Sequence, residues 1–405
     1  MNGPLTRVRV LDLSRILAAP LTSQLLADMG AEVIKVERPG VGDDARQYGP
    51  PFFGAPEDAI SGFYLSANRN KRSITIDHSR PEGAALVTDL ATRSDVLIEN
   101  FRSGVLAKYG LDYEALRPHN SRLIYCSVTG FGQSGPYAQR AGYDGVFQAM
   151  SGMMSVSGVP DGEPGAGPMK VGVSMVDVLT GLYAASAILA ALHHRDTVSG
   201  TGQFIDLALL DCGVASLSHY VQNYLVSGIA APRRGNGGFG GIPSQAFACA
   251  DAEIFVVAST PNQWAGLARA LGRPELASDP RFATVSARIA NRDAVLAVLD
   301  EIFAQRNAEY WIARLEAEDV PVSPVNDMEG VFANPQLQHR GIRRSARMDG
   351  GRPVDLVANP IRFSDTPIDT YIAPPSLGQH TEEILRTVLA KSDDDIRKLH
   401  ECGAI

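Results

Sequence analysis

A long uncharged run, residues 178–192, constrains the fold of this chain more than any other stretch. Its apolar positions, Leu179, Leu182 and Leu189 among them, surround the helix instead of forming one stripe. A helix that is apolar all round belongs inside a large core. The run is shorter than the roughly 18 apolar residues that a membrane span needs. We therefore predict a central core helix and no membrane partner.

Asp177 stands where this helix should begin, after a Gly- and Pro-rich stretch over residues 151–174. One interpretation is a helix cap, because Asp accepts hydrogen bonds from the unpaired N–H groups of a first turn. The other is a nucleophile, kept ionised by the helix N-terminus and facing a pocket. The two interpretations are compatible, and both stay open at this point.

Composition excludes several functional classes. The 405 residues, 45% of them hydrophobic, are enough for two domains. A formal net charge of −8 argues against a nucleic-acid partner. The four cysteines are far apart and the histidines lack ligand spacing, so we predict no metal site and reduced thiols in a cytoplasmic protein.

Strand and helix patterns alternate along the first half of the chain. Residues 7–13 and 31–37 are typical of buried strands, with a helix over 19–29 between them. This β-α-β order predicts a parallel, doubly wound sheet of the Rossmann-like α/β class. Glu37 ends the second strand, where dinucleotide folds often keep a ribose-binding acid, but the first turn lacks G-x-G-x-x-G.

Two further segments carry nucleotide-like signals. GFGQSG at 130–135 matches G-x-G-x-x-G, but Pro136 follows at once and we interpret it as a tight loop. The cations of residues 69–72 indicate either a solvated face or a polyphosphate site. An NAD-dependent oxidoreductase or a non-catalytic nucleotide-binding protein is therefore a remote alternative.

A glycine-rich segment at 231–241 marks a change in composition. It could be a linker, a phosphate cradle or a mobile lid. A hairpin, several helices and a short strand are predicted after it, which is typical of a smaller α+β domain.

Several motifs occur together in one order along almost the whole chain. They are RVRVLDLSRILAAPLTSQLLADMGAEVIKVERPG, NRNKRSI, DVLIENFRSG, TGFGQSGP, RAGYD, the Asp177 helix and LGQHT. This ordered set resembles the family III CoA-transferases, the CaiB/BaiF group. Within that group, DVLTGLYA, LSHYVQNYL and GVFANPQ are most similar to the succinyl-CoA:dicarboxylate transferases, such as the succinate–hydroxymethylglutarate type.

The resemblance implies a CoA-transferase in which Asp177 attacks an acyl-CoA, giving an aspartyl anhydride and then an aspartyl-CoA thioester. Its substrates would be an acyl-CoA and a small carboxylic acid, with no tightly bound cofactor. It also implies an interlocked homodimer. The large CoA-binding domain would combine residues 1–225 and 340–405, the small domain would span 242–335, and 226–241 and 336–339 would connect them.

The resemblance also implies which residues border CoA. These are Leu17, Ala18, Arg38, Ile76, Asp77, His78, Asn100, Phe101, Arg102, Lys108, Arg140, Tyr143 and Asp144. Lys108 stands where relatives use Arg for the CoA phosphates. Leu17 stands where some oxalate-acting relatives have Gln. A loop containing Gly237, Gly238, Gly240 and Gly241 would close over the intermediates.

Two questions about the reaction remain at the level of sequence. An α-methylacyl-CoA racemase shares this fold and is the main alternative, but racemases carry a His acid/base where this chain has Tyr143. Tyr is a poor proton shuttle at neutral pH.

A dicarboxylate substrate would need a cation for its second carboxylate, and Arg15, Arg46 and His219 are the candidates.

Overall fold

The computed structural model describes residues 3–55, 59–238 and 240–405, and the chain divides into two compact units. The first comprises residues 1–154, 170–230 and 340–405, and the second 155–169 and 231–339. The predicted boundaries differ at residues 155–169, which the sequence placed in the large domain, and at 231–241, which it treated as a connection. Both segments belong to the second unit, where Gly235 N donates to Gly158 O at 3.1 Å.

The first unit is built on a parallel sheet. Its strands, within the described residues, are Phe204–Ala208, Ile124–Thr129, Val96–Glu99, Arg9–Asp12, Glu32–Glu37 and Lys71–Thr75 in spatial order. Numbered along the chain, this order is 6-5-4-1-2-3, the doubly wound Rossmann arrangement. The order reverses between Arg9–Asp12 and Val96–Glu99, and ligands of such sheets bind at the carboxyl ends of the strands beside that reversal.

Both faces of the sheet are covered, because successive strand residues point to opposite sides. Val10 and Val96 pack on one face, in a cluster with Leu26 and Ile188. Leu11 packs on the other, with Leu86 and other aliphatic side chains. Parallel sheets buried on both faces carry such near-continuous apolar strands, so the predicted fold class is confirmed.

Helices and hairpins complete the first unit. The helices are Ala18–Asp28, Gly62–Ala67, Pro81–Ala91, Tyr113–Leu116, Asp144–Met150, Met175–His194, Leu209–Ser216, His219–Ser227, Thr381–Thr387 and Asp393–Glu401, with 3-10 turns at Asp44–Gln47 and Leu106–Tyr109. The hairpins pair Phe52–Phe53 with Ile60–Ser61, and Arg343–Arg347 with Pro353–Val357. The short helix Met153–Val156 spans a boundary between the two units along the chain.

The central helix, Met175–His194, is longer than the apolar run suggested and continues into a π turn, Arg195–Ser199. By length and composition alone, Met175–Ser199 could cross a membrane, so the length argument against a span was wrong. The helix packs against Ala18–Asp28 in the first unit. A Cβ on Gly181 would lie 2.8 Å from Ala18 O, so glycine permits this close approach.

The basic cluster at residues 69–72 is largely internal, which contradicts both of its predicted roles. Arg69 is bidentate to Asp28, and Lys71 Nζ donates to Asp12 Oδ2 at 3.1 Å and to Pro20 O at 2.9 Å. The Lys71 and Asp12 side chains are fully buried. Burial lowers the pKa of Lys71 to about 8. These cations hold the helix that follows the first strand instead of meeting solvent or phosphate.

Glu37 and Arg46 form a second buried ion pair. Arg46 Nε and Nη2 donate to the two Glu37 oxygens at 2.8 and 2.7 Å. Glu37 also accepts from Ser73 Oγ at 2.7 Å and from Asp43 N at 3.0 Å. Glu37 is therefore saturated with structural partners and is not a ribose-binding acid, and Arg46 is not available to a substrate.

The second unit has its own core. Its antiparallel sheet contains Ser244–Ala248, Glu253–Val257 and Val322–Pro324, and a small hairpin pairs Gly158–Val159 with Gly167–Pro168. Its helices are Pro261–Ala270, Val285–Ala290, Arg292–Phe303, Ala308–Glu316, Met328–Ala333 and Pro335–His339, with a 3-10 turn at Pro274–Ala277. Trp264, Phe303 and Trp311 lie in its core, which is the α+β arrangement that the sequence predicted.

Candidate active site

A cavity of about 280 Å³ opens where the sheet order reverses. One wall follows the first strand, at residues 15–18, and another follows the fourth strand, at 100–103. Residues 128–130, 138 and 140–144 complete it, together with Asp44, Phe147, Asp177 and Leu209. We call it the reaction cavity. It lies where a doubly wound sheet is expected to bind its ligand.

Asp177 reaches this cavity from the first turn of the central helix. Ser174 occupies the N-cap position and its side chain makes no capping hydrogen bond. Because Asp177 lies three residues further on, the interpretation of Asp177 as the helix cap was wrong. In the described part of the chain, no hydrogen-bond donor is placed on its half-buried carboxylate, which leaves the carboxylate available for chemistry.

Asp144 caps the helix in its place. Asp144 Oδ1 accepts from the backbone N–H groups of Val176 at 2.8 Å and Asp177 at 3.3 Å, and Oδ2 accepts from Gln148 Nε2 at 2.6 Å. A carboxylate at a helix N-terminus is stabilised by the unpaired N–H groups and the helix dipole. Asp144 thus fixes the position of Asp177 and places a second negative charge beside it.

The electrostatics of Asp177 differ from the sequence expectation. Burial raises the pKa of its carboxyl to about 7, and the neighbouring Asp144 carboxylate adds to that shift. The two nearest backbone N–H groups donate to Asp144, so they stabilise its carboxylate and not that of Asp177. A carboxylate that lacks hydrogen-bond donors is more basic than usual, and its ionised form is correspondingly a better nucleophile.

A pH dependence follows from this raised pKa. If Asp177 is the nucleophile that the family resemblance implies, attack needs its ionised carboxylate, which predominates above pH 7 and is lost as the pH falls through 7. We therefore expect the rate of the first chemical step to fall about tenfold for each unit below pH 7 and to level off above pH 8. Single-turnover release of CoA thiol from acyl-CoA measures it. A rate independent of pH between 5 and 8 would contradict the role of a high-pKa carboxylate.

The reaction cavity also presents cationic groups. Arg15, Arg102 and Arg140 line it, and Arg140 is stacked on Tyr137 with its Cζ 3.9 Å from the ring centroid. Arg15 Nη1 donates to Asp44 Oδ2 at 3.0 Å on an exposed rim. Guanidinium groups suit carboxylates and phosphates. The cavity therefore combines one reactive carboxylate with several anion-binding side chains.

A neighbouring cavity of about 290 Å³, which we call the nucleotide cavity, shares Arg15 and Phe101 with the reaction cavity. His78 packs edge-to-face against Phe101 and Tyr109, with centroids 5.4 Å apart in each pair. Burial and the nearby Arg15 lower the pKa of His78, so this ring is neutral at physiological pH. Neutral aromatic walls beside the cation Arg38 fit a base joined to a phosphate group.

The structure brings most of the predicted residues together. Leu17, Ala18, Asn100, Phe101, Arg102, Arg140, Tyr143, Asp144 and Asp177 line the reaction cavity, and Arg38, Ile76, Asp77 and His78 line the nucleotide cavity. Lys108 lies in the 3-10 turn Leu106–Tyr109 and is not among the lining residues of either cavity. Its predicted role in binding CoA has no support from this geometry.

The predicted lid glycines lie in the second unit. A Cβ at Gly237 would lie 2.1 Å from Arg292 Nη2, and a Cβ at Gly241 would lie 2.3 Å from the Ser259 Cβ. Close packing against Ser259 within the second unit accounts for Gly241, whereas the contact at Gly237 is with the movable end of the Arg292 side chain, which can shift aside. Closure of this loop over a substrate stays a prediction.

Of the candidates for a distal carboxylate, only Arg15 borders the reaction cavity. Arg46 pairs with Glu37, and His219 is not among the residues that line the cavity.

The tight-loop interpretation of residues 130–135 is confirmed, because no helix follows Gly135 as a dinucleotide fingerprint requires. In the described ranges, no group of His, Cys, Asp and Glu has the arrangement of a metal site.

Sequence reasoning missed several lining residues. Thr129 and Gly130 end the fifth strand, and Phe147 follows on the Asp144 helix. The residues at the strand ends could have been predicted to line the site, since the ligand site of a doubly wound sheet is at the carboxyl edge. Phe147 had no such signal. It explains Gly142, whose Cβ would lie 2.4 Å from the Phe147 Cζ.

Comparison with known proteins identifies the family to which this geometry corresponds. The family model described as CoA-transferase family III matches residues 5–381. A succinate–glutarate CoA-transferase of Agrobacterium fabrum is 44% identical over 94% of this chain and 95% of its own length. A human succinyl-CoA:glutarate CoA-transferase is 40% identical, covering 99% and 90%. The crystal structure of a CAIB/BAIF family protein from Brucella suis superposes with a TM-score of 0.85 at 43% identity, covering 95% and 99%.

Proposed function

The chain belongs to CoA-transferase family III, and on that premise we propose that it moves CoA from succinyl-CoA to a dicarboxylic acid through covalent intermediates on Asp177. The observation that carries this proposal is the Asp177 carboxylate, which faces the reaction cavity with a pKa raised to about 7. The names of the relatives, which are succinyl-CoA transferases for glutarate, mesaconate and citramalate, support the substrate class.

The first half of the proposed reaction transfers the acyl group to the enzyme. An Asp177 oxygen attacks the thioester carbonyl, the C–S bond breaks, and CoA leaves as a thiolate. The product is a mixed anhydride of Asp177 and succinate. The thiolate then attacks the aspartyl carbonyl, releasing succinate and leaving an aspartyl-CoA thioester. A covalent nucleophile divides one difficult step into easier ones.

The second half repeats this chemistry with the acceptor. The acceptor carboxylate attacks the aspartyl thioester and forms a second anhydride and CoA thiolate. The thiolate attacks the acceptor carbonyl, which gives the new acyl-CoA and restores the Asp177 carboxylate. Asp144 acts throughout as a positioning residue, because its hydrogen bonds hold the turn that carries Asp177.

Arg15 is the proposed partner of the second carboxylate. It borders the reaction cavity, stacks with its Cζ 5.1 Å from the Phe101 centroid, and among the described residues forms its ion pair with the rim residue Asp44. Because an exposed ion pair is weak, a substrate carboxylate can replace Asp44 at little cost. A monocarboxylate of the same length would leave this guanidinium without a substrate partner.

A panel of acceptors tests the substrate class. With succinyl-CoA as donor, we expect glutarate to exceed pentanoate, the monocarboxylate of the same chain length, by at least about tenfold in kcat/KM, because one charge-assisted pair contributes about 1.5–3 kcal/mol. Arg15→Gln should reduce that preference. A preference for carnitine or pentanoate would contradict the dicarboxylate class, and a preference for oxalate would contradict the assignment to the succinyl-CoA:dicarboxylate subgroup. Exchange of the α-proton of a 2-methylacyl-CoA without transfer would favour the racemase.

We also propose that the chain forms a homodimer. The helix His219–Ser227 has no buried residue, and Leu225, Val226 and Ile229 are 69%, 79% and 73% exposed. A contiguous apolar patch of this kind is rarely left in contact with water. A second copy of the chain is the occupant that the family resemblance implies.

Light scattering tests the dimer. We expect twice the chain mass of 43.3 kDa at micromolar concentration, and a shift toward monomer in Leu225→Asp, because a carboxylate in an apolar interface cannot be solvated. Val198→Asp is the matched control, since Val198 is 74% exposed and belongs to a different element, the π turn Arg195–Ser199. A monomeric wild type, or equal dimer loss in the control, would contradict the proposal.

A further inference from the structure

A third cavity, of about 390 Å³, is not explained by CoA transfer. We call it the side cavity. It lies beside Glu99 at the end of the fourth strand, Tyr125 and Ser127 within the fifth, and Phe204 at the start of the sixth, and it shares the wall formed by Arg102 and Ser103 with the reaction cavity. Its volume is within the range of small-molecule sites, which are mostly apolar clefts with a few converging polar groups.

One wall of the side cavity is aromatic. Tyr113, Tyr125 and Phe204 pack together with centroids 5.6 to 6.1 Å apart. The Tyr125 hydroxyl donates to Leu111 O at 3.0 Å, which fixes its ring. Phe204 remains 37% exposed beside a half-buried Tyr113. Aromatic clusters with an open ring surface favour a further planar ring in offset or edge-to-face contact.

The opposite wall is a chain of hydrogen bonds. The Ser103 hydroxyl donates to Gln133 Oε1 at 3.0 Å, and Gln133 Nε2 donates to Ser127 Oγ at 2.7 Å. Ser127 in turn bonds to the Glu99 carboxyl, which also accepts from Phe101 N at 2.8 Å. The wall therefore begins and ends on the loop 99–103, which also lines the reaction cavity.

The charges of the side cavity distinguish it from the CoA site. Glu99, Asp112 and Glu114 line it against the single cation Arg102 among its described residues. Glu99 is 5% exposed, and burial raises its pKa to about 7. With three carboxylates against one guanidinium, these walls disfavour phosphates and carboxylic acids more than the two CoA cavities do, where arginines match the acidic residues more closely. The walls of the side cavity favour an uncharged ligand that donates a hydrogen bond.

From these walls we propose that the side cavity binds a planar, uncharged aromatic molecule with an N–H donor, as in an aromatic amide or amino-heterocycle. The ring packs on Tyr113 and Phe204, and the donor faces Glu99. Because the polar wall ends on Ser103 and the Phe101 N–H, an occupant restrains loop 99–103. Occupancy therefore lowers the KM for acyl-CoA and leaves kcat unchanged.

Benzamide and benzoate are suitable probes, since they share a ring and differ in charge. Binding is measured by saturation-transfer NMR on the full protein with saturating CoA, which fills the reaction and nucleotide cavities. We expect benzamide to bind at pH 8 at least about tenfold more tightly than benzoate, a difference of about 1.4 kcal/mol, because benzoate lacks the N–H donor and carries a charge that the carboxylates of the cavity repel. Glu99→Gln should narrow that difference.

Variants locate the bound probe. Tyr113→Ala should weaken benzamide binding at least about fivefold, whereas Tyr310→Ala, at an exposed tyrosine of the second unit, should not. Saturating benzamide should lower the KM for succinyl-CoA at least about twofold in wild type and not in Tyr113→Ala. No binding at millimolar benzamide, displacement by CoA, or equal binding by Tyr113→Ala would overturn the site. Binding without a change in KM would overturn its coupling to the CoA loop.

Discussion

Asp177→Asn should reduce CoA transfer by at least about three orders of magnitude, because no neighbouring group can replace a covalent nucleophile. The amide has the same shape and cannot form an anhydride. Asp144 would continue to cap the helix through the backbone N–H groups of Val176 and residue 177. Steady-state transfer from succinyl-CoA to glutarate measures the loss.

The control for this variant is a measurement of its free energy of unfolding and of its CoA binding. Asp177 is half-buried with no hydrogen-bond donor, so its charge disfavours the folded state above pH 7. We expect Asp177→Asn to unfold at pH 8 with a free energy no lower than that of wild type, and to bind CoA normally. Transfer within tenfold of the wild-type rate would disprove the nucleophile, whatever the stability.

Arg46→Met should cause the largest loss of stability, about 3–5 kcal/mol in the free energy of unfolding, because it leaves the Glu37 carboxylate buried without its cation. The Glu37 side chain is fully buried, and Arg46 supplies two of its hydrogen bonds. Urea unfolding monitored by circular dichroism measures the change.

Two variants calibrate that loss. Glu37→Gln combined with Arg46→Met removes the unpaired charge, so we expect it to recover much of the stability. Arg397→Met removes an exposed pairing with Asp394 and should have no measurable effect. If Arg46→Met instead raised the KM for acceptor acids at unchanged stability, Arg46 would be a substrate ligand and its structural assignment would be wrong.

The backbone of the large unit could be predicted because its signals are local. Continuous apolar strands such as residues 31–37 and the run at 178–192 specify buried elements by composition alone. The order of strands follows from right-handed β-α-β connections. The strand ends that carry Arg15, Asn100 and Thr129 therefore lie at one edge of the sheet. Predicting this requires no knowledge of contacts between residues distant in sequence.

What could not be predicted depends on contacts between residues distant in sequence. Asp144 caps the helix of Asp177 from 33 residues away, and nothing in either segment indicates that pairing. Lys71 and Arg69 look like surface cations until Asp12 and Asp28 are placed beside them. The pKa of Asp177 is raised by burial and by the charge of Asp144. Both causes are properties of the assembled cavity, so the sequence alone does not reveal them.

The most direct test of Asp177 as the nucleophile is to trap its activated carboxyl group. The protein is incubated with succinyl-CoA and hydroxylamine, digested, and analysed by mass spectrometry, with a sample lacking succinyl-CoA as control. An anhydride or thioester at Asp177 reacts with hydroxylamine, so we expect a hydroxamate on the peptide that contains Asp177, and only when succinyl-CoA is present. An unmodified Asp177, or a hydroxamate on a different carboxyl group, while transfer proceeds would contradict the role of Asp177 as the nucleophile.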